Sequence, residues 1–542
     1  MSRPLESRTL GALVDAAAAA LGDREAVVFG PERVSFTRLQ ADVDRTAKGL
    51  IALGVSRGAH VMIWMPNSLE WLHVFYAIAK IGAVAIPINT RFRTVDLAYV
   101  LRQSDASTLI MAGAFAGTDY LAMLRELIPE IDHAGPLASS HFPRLERVIV
   151  HGELGARNTM SWRAFLSNGA AVGQDVLAAR ARSVDPNAPA LMLYTSGTTG
   201  SPKGALHSHA MIRTVSDGAS RLGITSRDRI LLFLPLFHSM GLYLAGILFL
   251  VAGARLILMD RFDAGAAWTL IERERCSLLL GFDTHFFDML EHPARQATRA
   301  IDTSSVRFAM VPAGASGVEP IARRVNRELC RTFSGYGSSE CGTGVALTFI
   351  DAPEHERCLG SGFPMPGYEY ETRDPATGSR VQPGVAGELF VRGYGVMQSY
   401  YGKPDDTARA FDEQGWFRTG DAATIDADGF LRYIGRYKDM LKVGGENVDP
   451  TEVEAFLEAH PAIAQVKVIG IPDPRLGDKP VACVLPRAGH SISLIELRTY
   501  CQDKIASFKI PREIVIVDGF PLTTTGKVQR GVLRDEVMSR LT

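Results

Sequence analysis

Between Arg33 and Ala112 the chain alternates short apolar runs with segments whose apolar residues recur every three or four positions. VSFTRLQADVDRTAKGLIALGV reads as a short strand and then a helix with Leu39, Val43, Ala47, Leu50 and Ile51 on one face. HVMIWMP is a strand-length run stopped by Pro66, SLEWLHVFYAIAKIGA a helix stopped by Gly82, and AVAIPIN and STLIMA are further strands. Such alternation implies parallel strands with crossover helices, an α/β fold. The stretch from Ala134 to Gly155, rich in Pro, Gly and Ser, reads as loop. After about Asp351 Gly and Pro become denser and short β-like runs are separated by turns, which suggests a small, mostly β subdomain. From Pro450 a third texture begins: helix EVEAFLEAHPAI, strands AQVKVIGI and PVACVLP, helix ISLIELRTYCQDKI and strand EIVIVDGF, a compact α+β unit.

One segment tests that picture. From Ile230 to Ala254 no Lys, Arg, Asp or Glu occurs, a length that on its own suits a transmembrane helix. Pro235, His238, Ser239 and Gly241 cluster inside it and make a single helix a poor fit. A buried strand, a loop carrying His238 and a buried helix fit better. The 542 residues exceed what one core supports, so at least two domains are expected. A formal net charge of -1, with the basic residues dispersed, weighs against nucleic acid or an anionic membrane as partner. The six cysteines form no CxxC pair and are expected as reduced, mostly buried thiols rather than a metal framework. MSRPLESRTL lacks the apolar run and cleavage site of a signal peptide, so a cytoplasmic location is expected.

The strongest local signal is YTSGTTGSPKG, Tyr194 to Gly204, directly after the apolar run ALML. A strand that opens into Gly, Ser and Thr with one Lys suits a polyphosphate. Glycines let backbone N–H groups approach, hydroxyls donate and the ammonium offsets charge. It is not a Walker A loop, because Pro202 stands where that motif needs Gly before Lys203. The string resembles the phosphate-binding signature of the adenylate-forming superfamily, which holds acyl-CoA synthetases, firefly luciferase and peptide-synthetase adenylation domains. Four further strings follow in that family's order. GYGSSE (Gly335 to Glu340) resembles the adenine and metal motif, and RTGD (Arg418 to Asp421) the ribose motif. GRYKDMLKVGGENVDPTEVE (Gly435 to Glu454) resembles the hinge and CoA-side motif, and PLTTTGKVQR (Pro521 to Arg530) the motif bearing the catalytic lysine.

The resemblance implies a large N-terminal domain of doubly wound α/β subdomains plus a small β-barrel-like subdomain over residues 1–435. A hinge and CoA-side loop would follow at 436–448 and a small mobile α+β domain at 449–542. It implies an AMP-forming acid–CoA ligase using ATP, Mg²⁺ and coenzyme A. Thr195, Ser196, Gly197, Thr198, Thr199, Gly200 and Lys203 would hold the phosphates; Tyr336 would stack on adenine, with Gly335 and Gly337 beside it and Gly314 and Ala315 on the other side. Ser339 would touch phosphate, Glu340 would ligate Mg²⁺ as a hard oxygen donor, and Asp421 would accept both ribose hydroxyls with Arg436 in support. Lys527 would neutralise charge where two anions, carboxylate and α-phosphate, must meet. A swing about Lys438, where the family commonly has Asp, would then replace Lys527 by the face from Lys442 to Asn447, with Gly444 and Gly445 admitting the pantetheine arm. His238 matches an aromatic-or-His position near the acid and would orient the carboxylate or gate the CoA tunnel; a satisfied core histidine is the competing reading.

No basic residue reads as placed to pair with a second carboxylate, which favours an apolar monocarboxylate: a medium- or long-chain fatty acid, with alicyclic and aromatic acids next. A stand-alone adenylation enzyme loading a carrier protein, a luciferase-like oxygenase and a non-catalytic nucleotide-binding module share some of these strings. Peripheral membrane contact and a homodimer are compatible with the sequence. The spacing P-x₄-G-K from Pro521 to Lys527 resembles an acetylation site of bacterial relatives.

Overall fold

Local rules start the elements where the sequence placed them. The computed structural model describes residues 8–152, 155–195, 202–296, 301–313, 318–437, 440–443, 446–473, 476–502, 504–505, 507–522 and 528–541. The helix Phe36–Ala52 begins where the Ser35 hydroxyl accepts from the Arg38 N–H at 3.1 Å, and its stripe of Leu39, Val43, Ala47 and Leu50 is wholly buried. The helix Leu69–Lys80, capped by Ser68, is buried on nearly every side.

Among the described residues the strands gather into two large sheets. One has seven strands in the order Arg331–Phe333, Phe308–Met310, Leu278–Leu280, Arg229–Leu232, Arg255–Leu258, Glu25–Phe29 and Glu32–Ser35, parallel except at the last. The other has eight, in the order Ser399–Tyr400, Lys203–Ser208, Pro189–Thr195, Val84–Pro87, His60–Trp64, Thr108–Ala112, Arg147–His151 and Thr159–Ser161; the pairings among the first three strands are antiparallel and the rest parallel. One hydrophobic core joins both sheets and reaches from Leu10 to Leu431.

Two features differ from or settle the sequence picture. Within the stretch read as loop, RVIVH forms the parallel strand Arg147–His151; five apolar-rich residues were diluted by the Pro, Gly and Ser around them. The uncharged run from Ile230 breaks as expected into the strand Arg229–Leu232, a turn through His238 and a helix that passes through a π-turn at Leu242–Ile247. Among the described residues no helix is long and apolar enough to cross a membrane. All six cysteines are buried free thiols.

The β-rich part comprises a three-stranded sheet (Gly335–Ser338, Gly342–Leu347, Phe363–Pro364) and a four-stranded antiparallel one (Tyr368–Arg373, Gly387–Gly393, Phe417–Ile425, Leu431–Arg436), joined by a bridge between Gly362 and Leu431. Beyond it the hairpin Leu441–Val443 and Glu446–Val448 pairs through Val443 with the strand Gly477–Pro486, which also pairs with Ile463–Asp473 and Glu513–Ile516. Separate apolar clusters cover the two faces of this sheet. Arg530, from the last of the five strings, donates to the Val468 carbonyl at 2.6 Å and pairs with the buried Glu454 at 2.6 Å. Part of that string therefore serves the small unit's own fold.

Candidate active site at the strand ends

The carboxyl ends of the parallel strands in both sheets open into one cavity of about 1840 Å³. Pro87, Thr195, Leu234, Asp260, Phe282 and Met310, each at or just beyond a strand end, line it. Open parallel sheets bind ligands in such a crevice.

Thr195 and Lys203 face each other as the last and first residues of paired strands, and both line the cavity. Ser196, Gly197, Thr198, Thr199 and Gly200, between them, lie outside the described residues, as do Gly314, Ala315, Lys438, Gly444, Gly445 and Lys527. Lys442 sits on the strand Leu441–Val443, and only its backbone is described. The remaining expected residues, His238, Gly335, Tyr336, Gly337, Ser339, Glu340, Asp421 and Arg436, all line the same cavity.

Strand pairing creates the cluster around Asp421. Asp421 and Arg436 sit opposite each other on adjacent strands, and Arg436 Nε lies 3.1 Å from the buried Asp421 carboxylate. The Tyr336 hydroxyl donates to the other carboxylate oxygen at 2.5 Å, and Arg436 also donates to the Thr419 carbonyl at 3.0 Å. Burial, reinforced by Asp421, pushes the Tyr336 phenol well above its ordinary pKa, so it remains a donor. Burial works against the Arg436 charge, but Asp421, Tyr433, Tyr336 and Glu340 outweigh it and raise its pKa. Gly337 has a packing reason: a Cβ there would stand 2.7 Å from the Gly342 carbonyl oxygen and 2.8 Å from the Gly344 nitrogen.

A second cluster surrounds Lys203. Lys203 Nζ bonds Asp406 at 2.7 Å and sits 5.1 Å from the centre of the Tyr400 ring, whose hydroxyl donates to the Glu340 carboxylate at 3.2 Å. The hydrogen bond from Lys203, helped by Arg409, holds the Asp406 carboxyl below its usual range despite partial burial. Sequence reasoning missed Tyr400 and Asp406. The signal available was the segment SYYGKPDDTARA, whose first two residues form an edge strand beside Lys203–Ser208.

On the remaining wall His238 caps a short helix with its ring 4.6 Å from that of Phe237. His285 lies 5.3 and 4.7 Å from the rings of Phe233 and Phe262; its Nδ1 accepts from the Phe282 N–H at 3.2 Å, so the proton of the neutral ring is on Nε2. Burial, with Arg91 adding to it, pushes its pKa down to about 4. Arg91, Arg93 and Arg261 also line the cavity. Sequence reasoning did not single these arginines out, because they come from turns after strands remote in sequence, where no local pattern marks them.

Fold and cavity together define an adenylate-forming enzyme. The model of the AMP-binding enzyme family matches residues 14–401, and that of the AMP-binding enzyme C-terminal domain matches 452–527. The chain is 36% identical over 536 residues to the putative acyl-CoA synthetase YngI of Bacillus subtilis, covering 98% of this chain and 97% of that one. It is 32% identical over 555 residues to the mitochondrial medium-chain acyl-CoA ligase ACSF2 of Homo sapiens, covering 99% and 89%. Among solved structures it resembles the anthranilate CoA ligase AuaEII in complex with anthranoyl-AMP (TM-score 0.83, 25% identity, 100% and 99% covered). It also resembles the Mycobacterium tuberculosis fatty acyl CoA synthetase (TM-score 0.69, 28% identity, 98% and 99% covered). The chain belongs to the AMP-binding enzyme family, within which it falls among AMP-forming acyl-CoA synthetases.

Proposed function

We propose that the chain activates an apolar monocarboxylic acid and transfers it to coenzyme A within this cavity. The carboxylate attacks the α-phosphorus of ATP and expels pyrophosphate; the CoA thiol then attacks the acyl carbon of the adenylate, loses its proton and expels AMP. The observation that carries this reading is the meeting of Thr195, Lys203, Tyr336, Glu340, Asp421 and Arg436, from four separate strings, around one cavity.

In this reading Asp421 accepts the ribose hydroxyls while Arg436 holds its carboxylate in place. The Tyr336 ring packs on adenine, with Gly314 and Ala315 on the other face. Thr195, Lys203 and the intervening glycines and hydroxyls hold the phosphates. The Glu340 carboxylate fits Mg²⁺, a hard cation that needs one or two protein carboxylates and takes its other oxygens from phosphate and water. Bound there, the ion offsets phosphate charge. Lys527 meets the carboxylate and α-phosphate; in support, Leu522 and Val528 pair across residues 523–527, and Gln529 lines the cavity. Rotation about Lys438 then exchanges Lys527 for the face from Lys442 to Asn447, with Gly444 and Gly445 against pantetheine.

An apolar acid is supported by Phe233, Phe237, Met240, Leu244 and Phe262 on the cavity wall beside His238. We assign Arg91, Arg93 and Arg261 to the phosphates of coenzyme A. A second reading follows from Arg91 beside His285: these arginines could meet a second carboxylate on the acid. Thioester formation with ATP, Mg²⁺ and CoA across straight-chain, alicyclic, benzoic and dicarboxylic acids separates the two. Preference for a dicarboxylic acid overturns the apolar assignment, and no acid-dependent AMP release from any acid overturns the ligase reading.

A further inference from the structure

Along the strand Lys203–Ser208 alternate side chains share a face, so Lys203 and His207 project to the same side. Lys203 reaches Asp406 above the Tyr400 ring, whereas His207 points its Nε2 at the Ser339 carbonyl oxygen, 2.7 Å away. His207 is buried, with 3% of its surface exposed, and its ring also hydrogen-bonds the backbone of Gly395. Burial keeps the imidazole neutral, with a pKa pushed down to about 4, so the ring has one N–H for its two backbone partners; the 2.7 Å approach to the Ser339 carbonyl oxygen assigns it to Nε2. The turn bearing Ser339 and Glu340 has two more anchors. The Met397 N–H donates to the Glu340 carbonyl at 2.7 Å, and the Tyr400 hydroxyl donates to the Glu340 carboxylate at 3.2 Å. Residues Ser399–Tyr400 pair with the Lys203 strand itself, so all three anchors refer the turn to one rigid frame.

We propose that His207 is a positioning residue for the Mg²⁺–nucleotide site: its hydrogen bond to the Ser339 carbonyl sets the separation between Lys203 and the turn carrying Glu340. His207 touches neither nucleotide nor metal. It acts by fixing the spacing of one cation and one carboxylate that must engage the same phosphate chain, and rigid support of this kind keeps a site preorganised. The inference rests on the reading of Lys203 and Glu340 given above.

The test is calorimetric titration of ATP into the full chain, without acid or CoA, once in Mg²⁺ and once in EDTA, alongside thermal melts. The four proteins are the unaltered chain, His207→Ala, His207→Asn and Glu340→Gln. The unaltered chain should bind more tightly in Mg²⁺. His207→Ala should lose roughly tenfold of that advantage, the scale expected for one buried hydrogen bond, and His207→Asn, whose amide can donate, should recover most of it. If His207→Ala does not fold, His207→Phe, of similar volume but without a donor, replaces it. A folded His207→Ala or His207→Phe that keeps the full Mg²⁺ advantage, while Glu340→Gln loses it, overturns the inference and leaves the site reading standing. Glu340→Gln keeping the advantage overturns the site reading, and the inference with it.

Discussion

Replacing Asp421 tests the ribose-side cluster because the structure separates its stabilising role from its binding role. In Asp421→Ala the buried Tyr336 hydroxyl loses its acceptor, and an unsatisfied buried donor costs about 1–3 kcal/mol. The Arg436 side chain keeps 39% of its surface exposed and still donates to the Thr419 carbonyl. Losing its ion pair should therefore cost about 0–1 kcal/mol, as for exposed pairs, rather than the roughly 3–5 kcal/mol of a fully buried one. The sum is about 1–4 kcal/mol of folding stability. The binding role is larger. Two hydrogen bonds from ribose hydroxyls to an ionised acceptor are worth about 1.5–3 kcal/mol each before non-additivity, so a net loss near 3 kcal/mol, roughly 150-fold in ATP Kd, is expected. Asp421→Asn keeps an acceptor oxygen for Tyr336 and should recover most of the stability, yet bind ATP roughly tenfold more weakly than the unaltered chain. Urea unfolding and ATP calorimetry on both variants read the two effects apart. A folded Asp421→Ala with unaltered ATP affinity would refute the ribose assignment, and equal destabilisation by both variants would refute the account of Tyr336.

Further outcomes are expected. Lys527→Ala should lower acid-dependent ATP–pyrophosphate exchange by about 10²–10³ while still forming thioester from supplied acyl-adenylate; equal loss of both half-reactions contradicts the domain swing. Asn67→Ala removes an amide that donates to the Leu234 and Met259 carbonyls, both at 3.0 Å, and accepts from the Leu236 N–H at 2.8 Å. Because that amide fixes the loop leading to His238, the KM for the acid should rise about tenfold or more with the KM for ATP nearly unmoved; parallel rises in both disprove the local effect. Burial depresses His207 and His209 from 6.5 to about 4, so the unfolded chain takes up protons through pH 6.5 that the folded chain refuses until about pH 4. The stability they confer is complete above pH 6.5 and lost as pH falls, with a slope near pH 5 of about 2 kcal/mol per pH unit from the two together. A urea midpoint that does not move between pH 7 and pH 5 rules this out.

The large elements were legible in the sequence because burial leaves a strong trace. A helix packed against other helices and the strands His60–Trp64 and Val84–Pro87, such as Leu69–Lys80, is almost continuously apolar, and a half-exposed helix such as Phe36–Ala52 shows its stripe. The strand Arg147–His151 was not legible, since five residues cannot lift the average of a Pro- and Gly-rich window. The site was legible where its residues are consecutive, as in Gly335 to Glu340. It was illegible where the topology brings distant segments together: nothing near Tyr400, Asp406 or Arg91 announces a partner that sits on another turn, strand or helix. His207 shows the same limit. Its role depends on a carbonyl 132 positions away, and carbonyls leave no trace in sequence.

That limit bears on how the site works. Asp421 is paired with Arg436 and Tyr336, Lys203 with Asp406, and Glu340 with Tyr400. A nucleotide entering the cavity therefore exchanges partners more than it creates new ones, and the net gain at each group is smaller than the full strength of a charge-assisted hydrogen bond. The partners left behind determine which exchanges are easy. On the proposed reading the two-oxygen carboxylate of Asp421 takes the ribose hydroxyls while it keeps Arg436. Lys203 must divide its three donors between Asp406 and phosphate, and Asp406 keeps a second cation in Arg409 at 3.0 Å when Lys203 turns away. On the proposed reading the ribose contact adds to the pairs already present and suits holding AMP through both steps. The phosphate contact proposed for Lys203 is exchangeable and suits letting pyrophosphate leave.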